Sequence, residues 1–191
     1  MRKRIIASQS LLGPGQPLPW IDLRQIATVE VTSEDPDFPI ETVFSIQDSE
    51  ALNKAPWRGW RASQKGEQTI RLIFDQPLRV QRLQFHFVEP ERERMQEFTV
   101  AWSSAGGGES KEIVRQQWNF SPAGSTSELE DYEVNLDNVA SLELVIKPDL
   151  TRNSAIATLA AWREHKHSCH SRAPGTHVLT SRTGIRQSPT I

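Results

Sequence analysis

The chain has 191 residues, a formal net charge of −2 at pH 7 and a hydrophobic fraction of 37%, which suit one globular domain with appended ends. Its single cysteine, Cys169, excludes a disulfide framework, and the small net charge argues against the whole chain binding nucleic acid. No run of 18 apolar residues occurs, so the sequence predicts no membrane span.

The N-terminus begins MRKRIIAS, which is basic but carries only three consecutive apolar residues, Ile5 to Ala7. That segment is too short for the core of a signal peptide, so we expect a cytoplasmic protein. Residues 1–24 are rich in Pro and Gly ("LLGPGQPLPW") and predict an extended lead-in.

The C-terminal segment differs from the rest in charge and pattern. From residue 165 onward the charged residues are all basic, which gives this segment +4 and the remainder −6: they are Lys166, Arg172, Arg182 and Arg186. Apolar periodicity stops there as well, so residues 165–191 predict a flexible basic tail and residues 25–164 a single domain. Four charges without interleaved aromatic residues are too few to predict nucleic-acid binding by the tail.

Within residues 25–164, apolar residues recur with the two-residue period of β-strands. Ile26–Thr32 (IATVEVT) is alternating and β-branched, Ile40–Ile46 is a strand or the start of a loop, and Gln47–Ser63 is a long polar loop. The further predicted strands are Gln68–Phe74, Leu78–Phe87, Gln96–Trp102, Glu112–Trp118, Leu129–Leu136, Ser141–Lys147 and Ile156–Trp162.

Turn signals such as "DQP", "SSAGGGES" and "NFSPAGSTS" separate these strands. Ala155–Arg163 also has helical propensity, but no long amphipathic helix is evident. The pattern predicts an all-β protein, an antiparallel jelly-roll β-sandwich of about eight strands.

The order of several segments points to a family. They are "VEVTSED" at 29–35, "GEQTIRLIFDQPLRVQRLQF" after Trp60, "RMQEFTVAWSSAGGGESKEIVRQQW" at 94–118, and "ASLELVIKPD" followed by "IATLAAW". Over about residues 25–164 this order resembles the discoidin, or coagulation-factor C-type, domains of the galactose-binding-like superfamily. The resemblance implies a binding module whose loops at one end of a jelly roll contact glycans, phospholipid head groups or proteins.

The segment "WRGWR" carries the first candidate binding residues. By the resemblance, Trp60 packs into the core at the loop end. Trp57 offers an indole face to the apolar face of a sugar, and Arg58 offers a fork of hydrogen-bond donors. Alternatively, Trp57 covers the end of the sandwich with Arg58 or Arg61 stacked on it.

Two further loops carry candidates. In "EPERER" (89–94) the charges alternate, as in a solvated ion-pair loop, but sugar-binding relatives place a ligand arginine here, which suggests Arg92 or Arg94. Those relatives also place an asparagine several residues later, and its absence here disfavours a galactose-type site. Trp118 and Asn119 either cradle a sugar ring or cap the core.

No catalytic motif is present: the sequence has no Gly-x-Ser-x-Gly, no His-Glu-x-x-His and no P-loop. His86 is predicted to be exposed, on the outer face of its strand, and to have no catalytic role.

Because no catalytic motif is present and the resemblance implies a binding module, we predict a non-catalytic module that binds carbohydrate. The alternative is an intracellular protein–protein interaction module of the same fold.

No cofactor is predicted, although the resemblance raises a structural calcium ion near the first long loop. Asp48, Ser49 and Asn53 are the candidate ligands, but the final strand, "IATLAAWRE", has alanines where relatives carry a glutamate. The "HKHSCH" cluster (165–170) has no spacing of a closed zinc site.

Overall fold

The structure is a computed structural model and describes residues 20–44, 59–151 and 154–165. Eight strands are present in these residues: β1 Ala27–Val31, β2 Trp60–Lys65, β3 Gln68–Val88, β4 Arg94–Ser104, β5 Lys111–Phe120, β6 Ser127–Lys147, β7 Ile156–Leu159 and β8 Ala161–His165. Two short 3₁₀ helices cover Leu23–Gln25 and Ile40–Phe44. The described helices include none long and apolar enough to cross a membrane.

The strands pair in an antiparallel manner throughout. The larger sheet has the order β1-β3-β6-β4-β5, with β8 added on β3, and the smaller sheet pairs β2 with β7. A segment before the first 3₁₀ helix also joins the sheet, since Trp20 forms an isolated bridge with His165 on β8.

The long strands β3 and β6 form a two-stranded ribbon that takes part in both layers of the sandwich. They pair from Gln68 opposite Ile146 to Val88 opposite Ser127, with register shifts between Ile73 and Arg82. Near these shifts Asn138 has a left-handed φ of 59°, which asparagine tolerates better than most residues. The ribbon therefore bends in its middle.

Aromatic contacts show that the two layers face each other. Phe98 lies on β4 in one layer, whereas Phe85 and Phe87 lie on the second half of β3 in the other. The ring centroid of Phe98 is 6.2 Å from that of Phe85 and 5.0 Å from that of Phe87. Trp60 and Trp162 are also fully buried in this core, so the core position predicted for Trp60 is confirmed. The predicted antiparallel β-sandwich is confirmed as well.

Several predicted boundaries are wrong. "DQP" does not end a strand, because its residues continue within β3, and β6 likewise joins two predicted strands. The predicted polar loop 47–63 in fact contributes the start of β2, whose backbone is paired by β7. The 40–44 segment is a 3₁₀ helix, and the helical alternative for 155–163 is wrong, since β7 and β8 occupy this region.

Two histidines also differ from expectation. His86 is buried rather than exposed, because β8 pairs beside it and its Nε2 lies 2.7 Å from Ser127 Oγ. His165 is a buried residue of β8, stacked on Trp20 with ring centroids 3.6 Å apart, so the predicted tail does not begin there. The remainder of that tail, with His167, Cys169 and His170, lies outside the described residues.

Candidate functional site

An open cavity of about 420 Å³ lies at the end of the sandwich where β3 ends and β7 begins. One side is formed by Phe38 and Arg61, the opposite side by residues 88–92, and the floor by Ala155, Ile156 and Thr158. The pairings explain this arrangement. Arg61 on β2 lies opposite Thr158 on β7, and the Thr158 hydroxyl donates to the carbonyl oxygen of Val88 at 3.3 Å. Thus β7 separates the two sides.

Arg61 and Phe38 form one side of the cavity as a stacked pair. The guanidinium carbon of Arg61 lies 3.9 Å from the centroid of the Phe38 ring, within the range of a cation–π contact. Nε and Nη2 of Arg61 donate to Asp35 Oδ2 at 3.0 and 2.7 Å. The hydrogen bond from Arg61, together with the N–H of Asp37, lowers the pKa of the Asp35 carboxyl. Asp35 therefore fixes the guanidinium against the ring.

Glu89 shapes the opposite side. Its Oε1 accepts hydrogen bonds from the backbone N–H groups of Glu91 at 3.1 Å and Arg92 at 3.2 Å. Such a side-chain bond to nearby backbone donors replaces the ladder bonds that end with β3. The result is a tight turn that presents Arg92, an exposed residue, at the rim of the cavity.

Arg94 lies behind the same side and is buried, with 2% of its side chain exposed. Nη1 donates to the Ile156 carbonyl oxygen at 2.8 Å, Nη2 to Thr158 Oγ1 at 3.2 Å, and Nε lies 3.1 Å from Glu89 Oε2. Burial lowers the pKa of the Arg94 guanidinium, and the charge of Glu89 opposes this effect. Arg94 therefore braces the cavity and is not among its lining residues.

The remaining predicted site residues are not brought into this cavity. Trp118 on β5 is half-buried and packs against the core, and the exposed Asn119 lies opposite Met95 of β4. Trp57 and Arg58 lie outside the described residues. Of the predicted residues that the structure describes, Arg92 alone lines the cavity.

Phe38 and Arg61 are the most informative of the lining residues that were missed as ligand candidates. Phe38 sits in the turn cluster "SEDPDFP", where a lone aromatic residue among turn formers was the available signal. Arg61 was expected only as a partner for Trp57, whereas it stacks on Phe38. Contacts between residues so far apart in sequence are not readable from strand periodicity.

Of three comparisons with known proteins, the search of solved structures found similar folds. Searches of protein-family models and of curated proteins each found no match. Among solved structures, CpGH89CBM32-5 from Clostridium perfringens, in complex with GalNAc-β-1,3-galactose, has a TM-score of 0.54 at 12% identity, over 77% of this chain and 99% of that one. The family 32 module of C. perfringens NanJ, in complex with galactose, has a TM-score of 0.53 at 11% identity, over 77% and 98%.

A pectin-binding carbohydrate-binding module is also similar, with a TM-score of 0.51 at 14% identity, over 76% of this chain and 94% of that one. The chain has the galactose-binding-like fold. The resemblance noted in the sequence is thereby confirmed at the level of fold.

The described residues contain no group of three His, Cys, Asp or Glu side chains that could hold a metal ion. The calcium candidates Asp48, Ser49 and Asn53 lie outside the described residues. A calcium ion at the first long loop therefore stays a prediction.

Proposed function

We propose that this chain is a non-catalytic carbohydrate-binding module that holds a sugar in the cavity between Phe38 and Arg92. The observation that carries the proposal is the pairing of an aromatic ring with two guanidinium groups around one open cavity. Phe38, Pro90 and Ile156 offer apolar surface to the C–H face of a sugar ring, and Arg61 and Arg92 offer N–H donors to its oxygens.

The carboxylates of the cavity support binding rather than hydrolysis. Glycoside hydrolysis requires two carboxyl groups held at a fixed separation on either side of the scissile bond. Of the two lining carboxylates, Glu89 is engaged by Arg94 and by two backbone N–H groups. Glu91 is exposed on the same turn. This arrangement favours a module that recognises a sugar without cleaving it.

We expect the affinity to be weak, because a shallow open site buries little ligand surface and must replace the water around each hydroxyl group. The fold also serves as a scaffold for unrelated functions, so function must be tested at the site. A protein ligand at the same loop end is the alternative.

A glycan array followed by calorimetric titration of each responding sugar tests the proposal. The test variant is Phe38→Ala. The matched control is Leu129→Ala, which truncates an apolar residue of β6 that is 52% exposed and does not line the cavity. We expect Phe38→Ala to lose binding while the control binds like the parent, with both variants unfolding at parental temperatures. Undiminished binding of every responding sugar by Phe38→Ala would show that the site is elsewhere.

A further inference from the structure

Some charged side chains around the cavity are paired with other side chains of the protein, and others are not paired with any described residue. Arg61 donates from Nε and Nη2 to Asp35, and its Nη1 makes no hydrogen bond within the described residues. Glu89 on the opposite side is neutralised by Arg94 and bonded by two backbone N–H groups. Two carboxylates at this end of the sandwich, Asp35 and Glu89, are thus already occupied by protein partners.

Arg92 differs from these residues. It is exposed on the cavity rim, and within residues 20–44, 59–151 and 154–165 its guanidinium has neither an ion-pair partner nor a hydrogen-bond acceptor. A guanidinium presents five N–H donors in a planar fork, which matches the two oxygens of a carboxylate. Arg92 therefore offers donors that no described side chain accepts, beside the exposed carboxylate of Glu91 on the same turn.

The second guanidinium stands on the other side of β7. Because Asp35 and the Phe38 ring hold Arg61, its Nη1, which has no hydrogen bond to another described residue, is presented at the cavity without the entropy loss of ordering a mobile side chain. A ligand seated over Ile156 and Thr158 would lie between Arg61 and Arg92.

We propose that the cavity selects sugars that carry a carboxylate, such as uronic or sialic acid residues, over neutral sugars. This inference rests on the proposed function, since it assigns the ligand class of the same site. Arg92 binds the carboxylate through two N–H donors, Arg61 donates to it or to a neighbouring hydroxyl, and the ring of the sugar contacts Phe38. Charge-assisted bonds of this kind are shorter and stronger than those to neutral hydroxyls.

The test compares each acidic sugar with a partner that lacks its charge. Trigalacturonic acid and sialyllactose are each titrated against their own methyl ester, at low and at high salt. We expect at least one acid to bind about tenfold more tightly than its partner, and the difference to shrink at high salt, which screens exposed charges. Arg92→Ala removes the difference. Arg79→Ala, which removes an arginine paired with Asp137 near the ribbon bend, leaves it unchanged.

Equal binding of acid and uncharged partner, lost in Phe38→Ala, would overturn the inference while leaving the proposed function intact. Binding of no sugar at all would overturn both. Preference for an acid that persists in Arg92→Ala would also overturn the inference, because the carboxylate would then be bound elsewhere. Unfolding curves for each variant exclude loss of fold as the cause.

Discussion

The guanidinium of Arg94 donates a hydrogen bond to the carbonyl oxygen of Ile156 over 2.8 Å and so ties the start of β4 to β7. The same side chain lies 3.1 Å from Glu89, whose other oxygen holds the turn that carries Arg92. The shape of the candidate site therefore depends on an arginine that does not itself line the cavity.

Replacing Arg94 by leucine should lower the free energy of unfolding by about 3 kcal/mol, because it leaves a poorly hydrated carboxylate on Glu89 without its partner. Arg92→Leu, at an exposed position two residues earlier, should change it by less than about 0.5 kcal/mol. Urea denaturation of both variants measures the difference. Equal midpoints for the two would contradict the bracing role assigned to Arg94.

The tryptophans of "WRGWR" should respond in opposite ways. Trp60 is fully buried, so Trp60→Ala should cost about 3–5 kcal/mol of stability. Trp57 lies outside the described residues, and its ligand role stays a prediction from the sequence. On that prediction, Trp57→Ala weakens sugar binding about five- to tenfold and leaves the unfolding temperature unchanged. Parental affinity for every bound sugar would remove Trp57 from the site.

Glu164 should make stability depend on pH. It is fully buried on β8, accepts one hydrogen bond from Trp162 Nε1 at 3.1 Å, and burial raises its pKa to about 8. Between pH 4.5 and about 8, the folded protein therefore keeps Glu164 protonated, whereas the unfolded chain, with the ordinary pKa of 4.5, loses this proton. This group's contribution is most favourable below 4.5 and is lost as the pH rises through about 8.

The glutamine variant tests this dependence, since Glu164→Gln cannot ionise. Its stability relative to the parent should increase from about pH 5 to about pH 9, with each unit of pKa difference worth about 1.4 kcal/mol. The control Glu133→Gln alters an exposed carboxylate on β6. If the parent and Glu164→Gln show parallel stability curves across this range, Glu164 does not carry the effect.

Removing the carboxylate of Glu91 should strengthen the binding of acidic sugars. Glu91 lines the same cavity as Arg92 and repels an anion there. Glu91→Gln is therefore expected to raise the affinity for trigalacturonic acid about threefold at low salt and to leave the affinity for its methyl ester unchanged. Glu93→Gln, an exposed neighbour that does not line the cavity, serves as the control in the same titrations. A decrease for Glu91→Gln would argue that Glu91 itself bonds the ligand.

Strand periodicity was sufficient to predict the sandwich, because strands with one buried face alternate apolar and polar residues, as in Gln96–Trp102. It failed for β2, whose second half, Ser63–Lys65, is exposed and therefore carries no apolar alternation. It also failed at "DQP", where we expected a turn. There the register shifts absorb the irregularity, and the strand continues.

The site was less predictable than the fold. Arg92 and Arg94 are indistinguishable in "ERER", yet one is exposed and the other buried. The difference arises because Arg94 begins β4 and reaches the Ile156 carbonyl, a partner 62 residues away. Likewise, the Arg61–Asp35 pair joins residues 26 positions apart. Long-range polar contacts of this kind have no periodic signature.

The continuity of β3 and β6 through the bend near Asn138 has a mechanical consequence. Because the same two strands belong to both layers, loss of their pairing in one layer disturbs strands that also form the other. We therefore expect this domain to unfold in one cooperative step, and any adaptation to a ligand to be confined to the turns at the ends of the strands.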